Sequence, residues 1–344
     1  MADDYENFLH EVEDVAERET ARPFSHEEMV TCEECLRANP PTRLNCFYCG
    51  ARLNLTEEAA LSRRPTIRQP EKWEEGYNVV IYERASATPE VLTEVASLLR
   101  LEREEAGRIL EAAKPLPLAR VPSQEEAQLI EERLRACGLS ALVVSDSALM
   151  MKDEGRRRAR AFSFTDDALL ANASGGSDVW QANWSDILLV VTGRLVLRRV
   201  EIDERRKGLG NEMVEARETA GDVLVLDLYT RAHDGGWRVA SDQFDFSCLA
   251  EKKALVASQN FATLVEALRE RAPHSEVDDS YNSLRQALAP VWPPEERTVS
   301  RGLRRERPGR FNIEAVMTSD NETQFTRYSR LRHFLKLREF ARES

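Results

Sequence analysis

TCEECLRANPPTRLNCFYCG, residues 31–50, carries four of the six cysteines in this chain of 344 residues. Cys32, Cys35, Cys46 and Cys49 spell C-x2-C-x10-C-x2-C. Each CxxC can turn into a knuckle that presents two thiolates, and two knuckles complete a tetrahedral shell around Zn²⁺. Four thiolates leave no position open for water, so the predicted ion is a single structural zinc. A segment of about 25 residues buries too little surface to fold unaided, and metal binding supplies the missing free energy. Gly50 follows the second pair, where a residue free to take positive φ closes the knuckle. Leu36 follows the first pair, so that turn must be made by a less permissive residue. A redox CxxC needs a thioredoxin-like βαβ context, which this Pro-containing segment lacks.

The longer stretch CEECLRANPPTRLNCFYCGARL, residues 32–53, resembles the small bacterial zinc ribbons with an NPP turn between the pairs. Asn39 also fits the spacing of Ran-binding-protein-type zinc fingers, a family that reads ubiquitin or single-stranded RNA. The chain departs from both modes. Val30 stands where that family has Trp, and Leu36-Arg37 replaces the Thr-Phe of the ubiquitin readers. Arg43 alone occupies a position suited to RNA contact. The ribbon is therefore expected to hold a surface, with RNA reading not favoured because the stacking residue is missing.

Beyond the ribbon, the length implies two or three domains. A net charge of −12 disfavours a broad nucleic-acid-binding face, which needs clustered Lys and Arg. The apolar run ILLVV at 187–191 is far short of the roughly 20 residues that span a bilayer. The N-terminus is acidic where a signal peptide is basic and then apolar, so a cytoplasmic protein with no membrane span is expected. Paired cysteines in that compartment point to metal, not disulfides.

Residues 1–28 form an acidic segment in which Tyr5, Phe8, Leu9, Val12 and Val15 fall at helical spacing. The ribbon occupies 29–54, and 55–76 reads as a linker with two prolines. From 77 to 146 the order is strand (YNVVIY), three helices, strand (LSALVV). Thr88-Pro89-Glu90 starts the first helix, and Ser123 with Glu126 caps the third. Gly138 suits its stop. This region resembles the C-terminal domain of the bacterial ribosomal stalk protein and the protease adaptor ClpS, through YNVVI, EEAGRILEAAKP and VPSQEEAQLIEERLRACG. Stalk proteins recruit translation factors with a basic helical surface, but Thr93, Glu94, Gly107 and Glu131 stand at the matching positions. What the resemblance implies is a small module of a kind that docks on other proteins.

Residues 150–273 present about seven short strands and then a helix carrying Ala257, Phe261, Leu264, Val265 and Leu268 on one face. That order resembles the pleckstrin-homology-like β-sandwich, with WSDILLV (184–190) where a strand enters the sandwich. The stretch 203–221 reads as a charged insertion loop. Residues 274–344 read as an Arg-rich extension with a loop at PVWPPEERTVSRGLRRERPG and a terminal helix that packs back through Tyr328, Leu331, Phe334 and Leu335. The predicted fold class is thus multidomain α+β: a four-cysteine zinc ribbon, a stalk-like α/β domain and a pleckstrin-homology-like β-sandwich domain with a C-terminal helix.

No HExxH, GxSxG or Walker loop is present, and His10, His26, His233, His274 and His333 are scattered. Cys137 and Cys248 read as core residues, and Asp278-Asp279 as a solvated turn. Arg156, Arg157, Arg158 and Arg160 form the most basic stretch and, with Arg43, the candidate anion contacts. In pleckstrin-homology domains such residues grip inositol phosphates, although a solvated flank is the commoner meaning of a charge run. Arg301, Arg304, Arg305, Arg307 and Arg310 form a second cluster. The sequence therefore predicts a zinc-binding, non-enzymatic adaptor for a protein partner. The alternative is a nucleic-acid- or anion-binding protein using the ribbon and the arginines.

Overall fold

The computed structural model describes residues 29–40, 46–51, 53, 67–71, 73–82, 88–112, 114–151, 157–173, 179–207, 210–232, 236–307 and 310–343. Arg43, Arg156 and the acidic segment 1–28 lie outside these. The chain divides into two units, Met1–Pro65 and Thr66–Ser344. In the first, strands β1 (Val30–Thr31) and β2 (Ala38–Asn39) pair antiparallel, Val30 opposite Asn39, and frame the first CxxC.

The second unit begins with β3 (Tyr77–Ile81), α1 (Pro89–Leu99), α2 (Arg103–Leu110), β4 (Leu116–Val121), α3 (Gln124–Ala136) and β5 (Ala141–Ser145). Thr88 caps α1 by accepting from the Val91 amide at 3.4 Å. Ser123 caps α3 by accepting from Glu126 N at 3.1 Å. Gly138, at φ 77°, ends α3 in the left-handed region. The apolar stripes Val95/Ala96/Leu99 and Ala127/Ile130/Leu134 are buried. The sequence order omitted β4. It carries Pro117, which cannot donate to a ladder, and β4 accordingly lies at the sheet edge in the order β4-β3-β5. The register slips between Val79 and Val80, opposite Ala119 and Pro117, so a bulge accommodates the proline.

Next come β6 (Arg157–Phe164), β7 (Ala168–Ala173), β8 (Val179–Asn183), β9 (Ile187–Lys207), β10 (Gly210–Thr230), β11 (Trp237–Ala240), α4 (Ala257–Arg271), β12 (Glu276–Asp278), α5 (Tyr281–Leu288), β13 (Glu295–Arg307), β14 (Arg310–Asp320) and α6 (Glu322–Glu343). The strands form one nine-stranded sheet in the order β13-β14-β9-β10-β11-β6-β7-β8, with β12 parallel to the start of β9. Two expectations are corrected here. The 203–221 stretch is not a loop but the distal part of the β9–β10 hairpin, paired from Gly221↔Leu197 to Gly210↔Lys207. The arginine-rich stretch is likewise β13 and β14, with β14 continuing onto β9 from Asp320↔Leu197 to Asn312↔Arg205. Side chains lie outside the core beyond Leu195 in β9 and ahead of Val223 in β10, where 197–199 and 217–222 are exposed. Backbone pairing without one-sided burial leaves no hydrophobic period to read.

Regions that the sequence separates at 77–146, 150–273 and 274–344 share cores within Thr66–Ser344. One core joins Val79, Ile109, Leu118 and Ile130 to Leu189, Tyr229, Trp292, Phe325 and Leu331. A second packs α4 through Phe261, Leu264 and Leu268 against β6, β7, β10 and β11. Helix α6 packs back as expected, with Tyr328 and Leu331 fully buried. It also buries Gln324, Thr326, Ser329, Arg330, Arg332 and His333, which the apolar pattern does not reveal. Asp278 is corrected from a solvated turn to a buried carboxylate, receiving Arg332 Nε at 2.7 Å and the Tyr328 hydroxyl at 3.0 Å. Trp292 donates to Asn78 Oδ1 at 2.8 Å, tying the turn before β13 to β3. Cys137 and Cys248 are half-buried against the two cores.

Candidate metal centre

The two CxxC knuckles repeat one geometry. In the first, Leu36 N donates to Cys32 O at 2.8 Å and Cys32 N donates to Arg37 O at 3.0 Å. In the second, Gly50 N donates to Cys46 O at 2.9 Å and Cys46 N donates to Ala51 O at 2.7 Å. Both turns pass through positive φ at the residue after the second cysteine, Leu36 at 59° and Gly50 at 75°. The less permissive residue thus adopts the same backbone as the glycine. For an L-residue with a Cβ that conformation costs roughly 1–2 kcal/mol.

The knuckles face each other and interleave their sulfurs. Cys32 Sγ lies 3.6 Å from Cys49 Sγ, Cys35 Sγ lies 3.4 Å from Cys46 Sγ, and all four lie within 4.8 Å of one another. Tetrahedral zinc with Zn–S of about 2.3 Å needs sulfurs about 3.8 Å apart. The observed spacing suits that ion, and none of these cysteines is disulfide-bonded.

Asn39, fully buried, organises the cluster. Its Nδ2 donates to Arg37 O at 2.8 Å and approaches Cys46 Sγ at 3.4 Å, while its Oδ1 accepts from Phe47 N at 2.8 Å. One side chain therefore links both knuckles and orients a ligand sulfur. Burial would raise the Cys46 thiol, but donation from the Tyr48 and Cys49 amides, with its Cys35 and Asn39 neighbours, draws it down to about 6. At Cys49 the Ala51 amide pulls downward, yet burial and the neighbouring thiols outweigh it and push the group up to about 12. Four close sulfurs cannot all ionise alone. A bound cation resolves that conflict by taking all four as thiolates.

The knuckles also carry a surface that the spacing argument passed over. Leu36 is 77% exposed, Phe47 66% and Tyr48 53%. Phe47 and Tyr48 meet edge to face at 5.4 Å, and the Arg37 guanidinium lies over the Tyr48 ring at 4.6 Å. The signal was an aromatic pair inside a CxxC, in a unit too small to bury it.

Three of the candidate anion contacts, Arg157, Arg158 and Arg160, lie among the described residues. Arg157 lies 5.7 Å from the Trp237 ring, Arg158 Nη2 reaches Glu322 at 3.3 Å, and Arg160 Nη1 donates to Gln243 O at 3.3 Å. Each is engaged within the chain. Of the second cluster the structure describes only the backbone, in β13 and β14. Among the described residues no other group of cysteines, histidines and carboxylates is arranged to hold a metal, and no helix is long and apolar enough to cross a membrane. No protein-family model, curated protein or solved structure matches the chain.

Proposed function

We propose that this protein is a zinc-organised, non-enzymatic adaptor whose ribbon docks a protein partner through Leu36, Phe47 and Tyr48. The observation that carries this reading is the exposure of three large apolar side chains on metal-clamped turns. A rigid aromatic anchor offers contact area at low entropic cost, and aromatics beside arginine are typical of interface hot spots. The zinc is structural and contributes rigidity. The docking-type resemblance of 77–146 points the same way, as does the lack of a recognisable catalytic motif.

A second reading has its own observation. The Phe47–Tyr48 pair with Arg37 stacked on it supplies the aromatic and cationic faces that bind single-stranded nucleic acid. One experiment separates the two: affinity capture from native extract, with and without nuclease, comparing wild type with Phe47→Ser/Tyr48→Ser and Cys46→Ser/Cys49→Ser. The adaptor reading expects a defined protein that survives nuclease and is lost in both variants. Loss to nuclease, with binding that weakens steeply as salt rises, would put nucleic acid in its place. Capture unchanged by Phe47→Ser/Tyr48→Ser would remove the ribbon surface from either reading.

A further inference from the structure

Helix α6 buries two arginines that each leave a guanidinium nitrogen without a partner, Arg327 and Arg330, and Arg327 lines a cavity. Arg327 lies against Asp146, but its Nη2 is 4.0 Å from Asp146 Oδ2, beyond hydrogen-bond reach. Asp146 is already committed. The Arg120 guanidinium hydrogen-bonds its carboxylate, and Asn78 Nδ2 donates to it at 3.0 Å. Two guanidiniums therefore converge on one buried carboxylate, and Glu295 is the next carboxylate that Arg327 feels. Arg327 Nε is also buried without an acceptor. Burial first, and then the charge of Arg120, pull the Arg327 guanidinium below its ordinary value to about 10, against the opposing pull of Asp146 and Glu295.

Both arginines line a cavity of about 570 Å³ within the second unit, walled by Val291 and Pro293 among others. That volume falls in the range of small-molecule sites. The rim has the opposite character. Glu71 and Glu296 are exposed at it, whereas Glu74 is held by Arg68 at 2.7 Å and Glu295 by Arg297 at 2.9 Å. An anion seated at the base would give the Arg327 guanidinium the hydrogen-bonded counter-charge that Asp146 does not, and its planar fork suits a carboxylate. A polyanion would meet the rim acids.

We propose that this cavity binds a small ligand through a single carboxylate seated against Arg327 and Arg120, the rim glutamates favouring a cationic group at its other end. The site is independent of the ribbon and of the adaptor reading.

The test is a titration of the ¹⁵N-labelled full chain, following the Arg327 Nε–H resonance, identified by its absence in Arg327→Lys. The probes are sodium acetate, β-alanine and inorganic phosphate, at ionic strength held constant with sodium chloride. A saturable shift with β-alanine at lower concentration than with acetate is expected, with a weaker response to phosphate. Glu71→Gln/Glu296→Gln should bring β-alanine back to the level of acetate. A resonance that stays put with all three probes in the wild-type chain overturns the proposal. Tighter binding of phosphate than of either carboxylate overturns the ligand class. The wild-type titration decides both points even if a variant fails to fold.

Discussion

The ribbon and the remainder of the chain are stabilised by different means. Among the described residues of the ribbon the buried apolar set is Cys32, Cys46 and Leu53. One buried leucine contributes about 1.5–3 kcal/mol, whereas ordering each residue costs about 1–2 kcal/mol of backbone entropy. Such a unit needs a bound metal to hold its shape, and its four sulfurs are placed to take one. Thr66–Ser344 instead has two apolar cores crossed by buried ion pairs. The difference teaches that the two regions should fail separately, one by chelation and one by heat or acid.

The largest effect expected is on the ribbon. Chelation, or Cys46→Ser/Cys49→Ser, removes a metal contribution on the order of 10 kcal/mol and should unfold residues 29–54. Proteolysis or loss of dispersed amide resonances would register this. The calorimetric transition of Thr66–Ser344 should stay within a degree or so of wild type, since a shift of 1 kcal/mol would already move it by a few degrees. A larger shift would break the separation.

The mirror experiment strikes the larger unit. Arg238 and Asp227 form a buried fork, with both bonds at 2.6 Å, and Arg238 also reaches Glu322 Oε1 at 3.2 Å. Asp227→Asn leaves the guanidinium buried and under-compensated, a loss of about 3–5 kcal/mol. The main transition should fall by several degrees or more while zinc stoichiometry stays at one per chain. Zinc loss in that variant would mean that the ribbon depends on the body.

This contrast also sets how much could be read from the amino acids. The four-cysteine cluster was legible because its members lie within one short stretch and metal-ligand chemistry depends on spacing. The caps at Thr88 and Ser123 were legible for the same reason: donor and acceptor are three residues apart. The body's fold was harder because its decisive pairs are remote. Arg332 meets Asp278, Arg238 meets Glu322, and Trp292 meets Asn78. The distal β9–β10 hairpin resembled a loop because its charge-rich sequence carries no sustained apolar–polar alternation. β4 was hidden by its own proline. The Leu36–Phe47–Tyr48 surface was visible in composition, but its exposure needed the knuckle geometry.

Acid provides a finer test of the same contrast. Glu276 is 26% exposed and would be raised by burial, but Lys114 at 2.9 Å, Arg332 at 2.9 Å and Lys336 at 3.3 Å draw its carboxyl down to about 2. The folded chain therefore binds fewer protons at this group than the unfolded chain does. Its stabilisation is complete above about 4.5 and is lost as pH falls from there towards about 2. After discount for solvent screening it is worth about 1–2 kcal/mol. Glu276→Gln should lower the melting temperature at neutral pH and flatten its fall over that window. An unchanged acid limb would place the responsible carboxylates elsewhere.

The smallest effect separates folding from docking within the ribbon itself. Leu36 holds positive φ with its side chain 77% exposed, so it contributes little packing and imposes backbone strain. Its counterpart in the other knuckle is Gly50. Leu36→Gly relieves the strain but gives the unfolded chain more freedom, for a net gain of about 0.5–1 kcal/mol. Zinc affinity in a competition titration should therefore rise slightly, by about two- to fivefold. Partner capture should fall, because the same change deletes one of the three apolar side chains at the surface. Tighter zinc with weaker capture would mean that leucine is kept at a glycine position for what it touches. If zinc affinity and capture rose together, the surface would reduce to Phe47 and Tyr48, and Leu36 would be strain without a docking role.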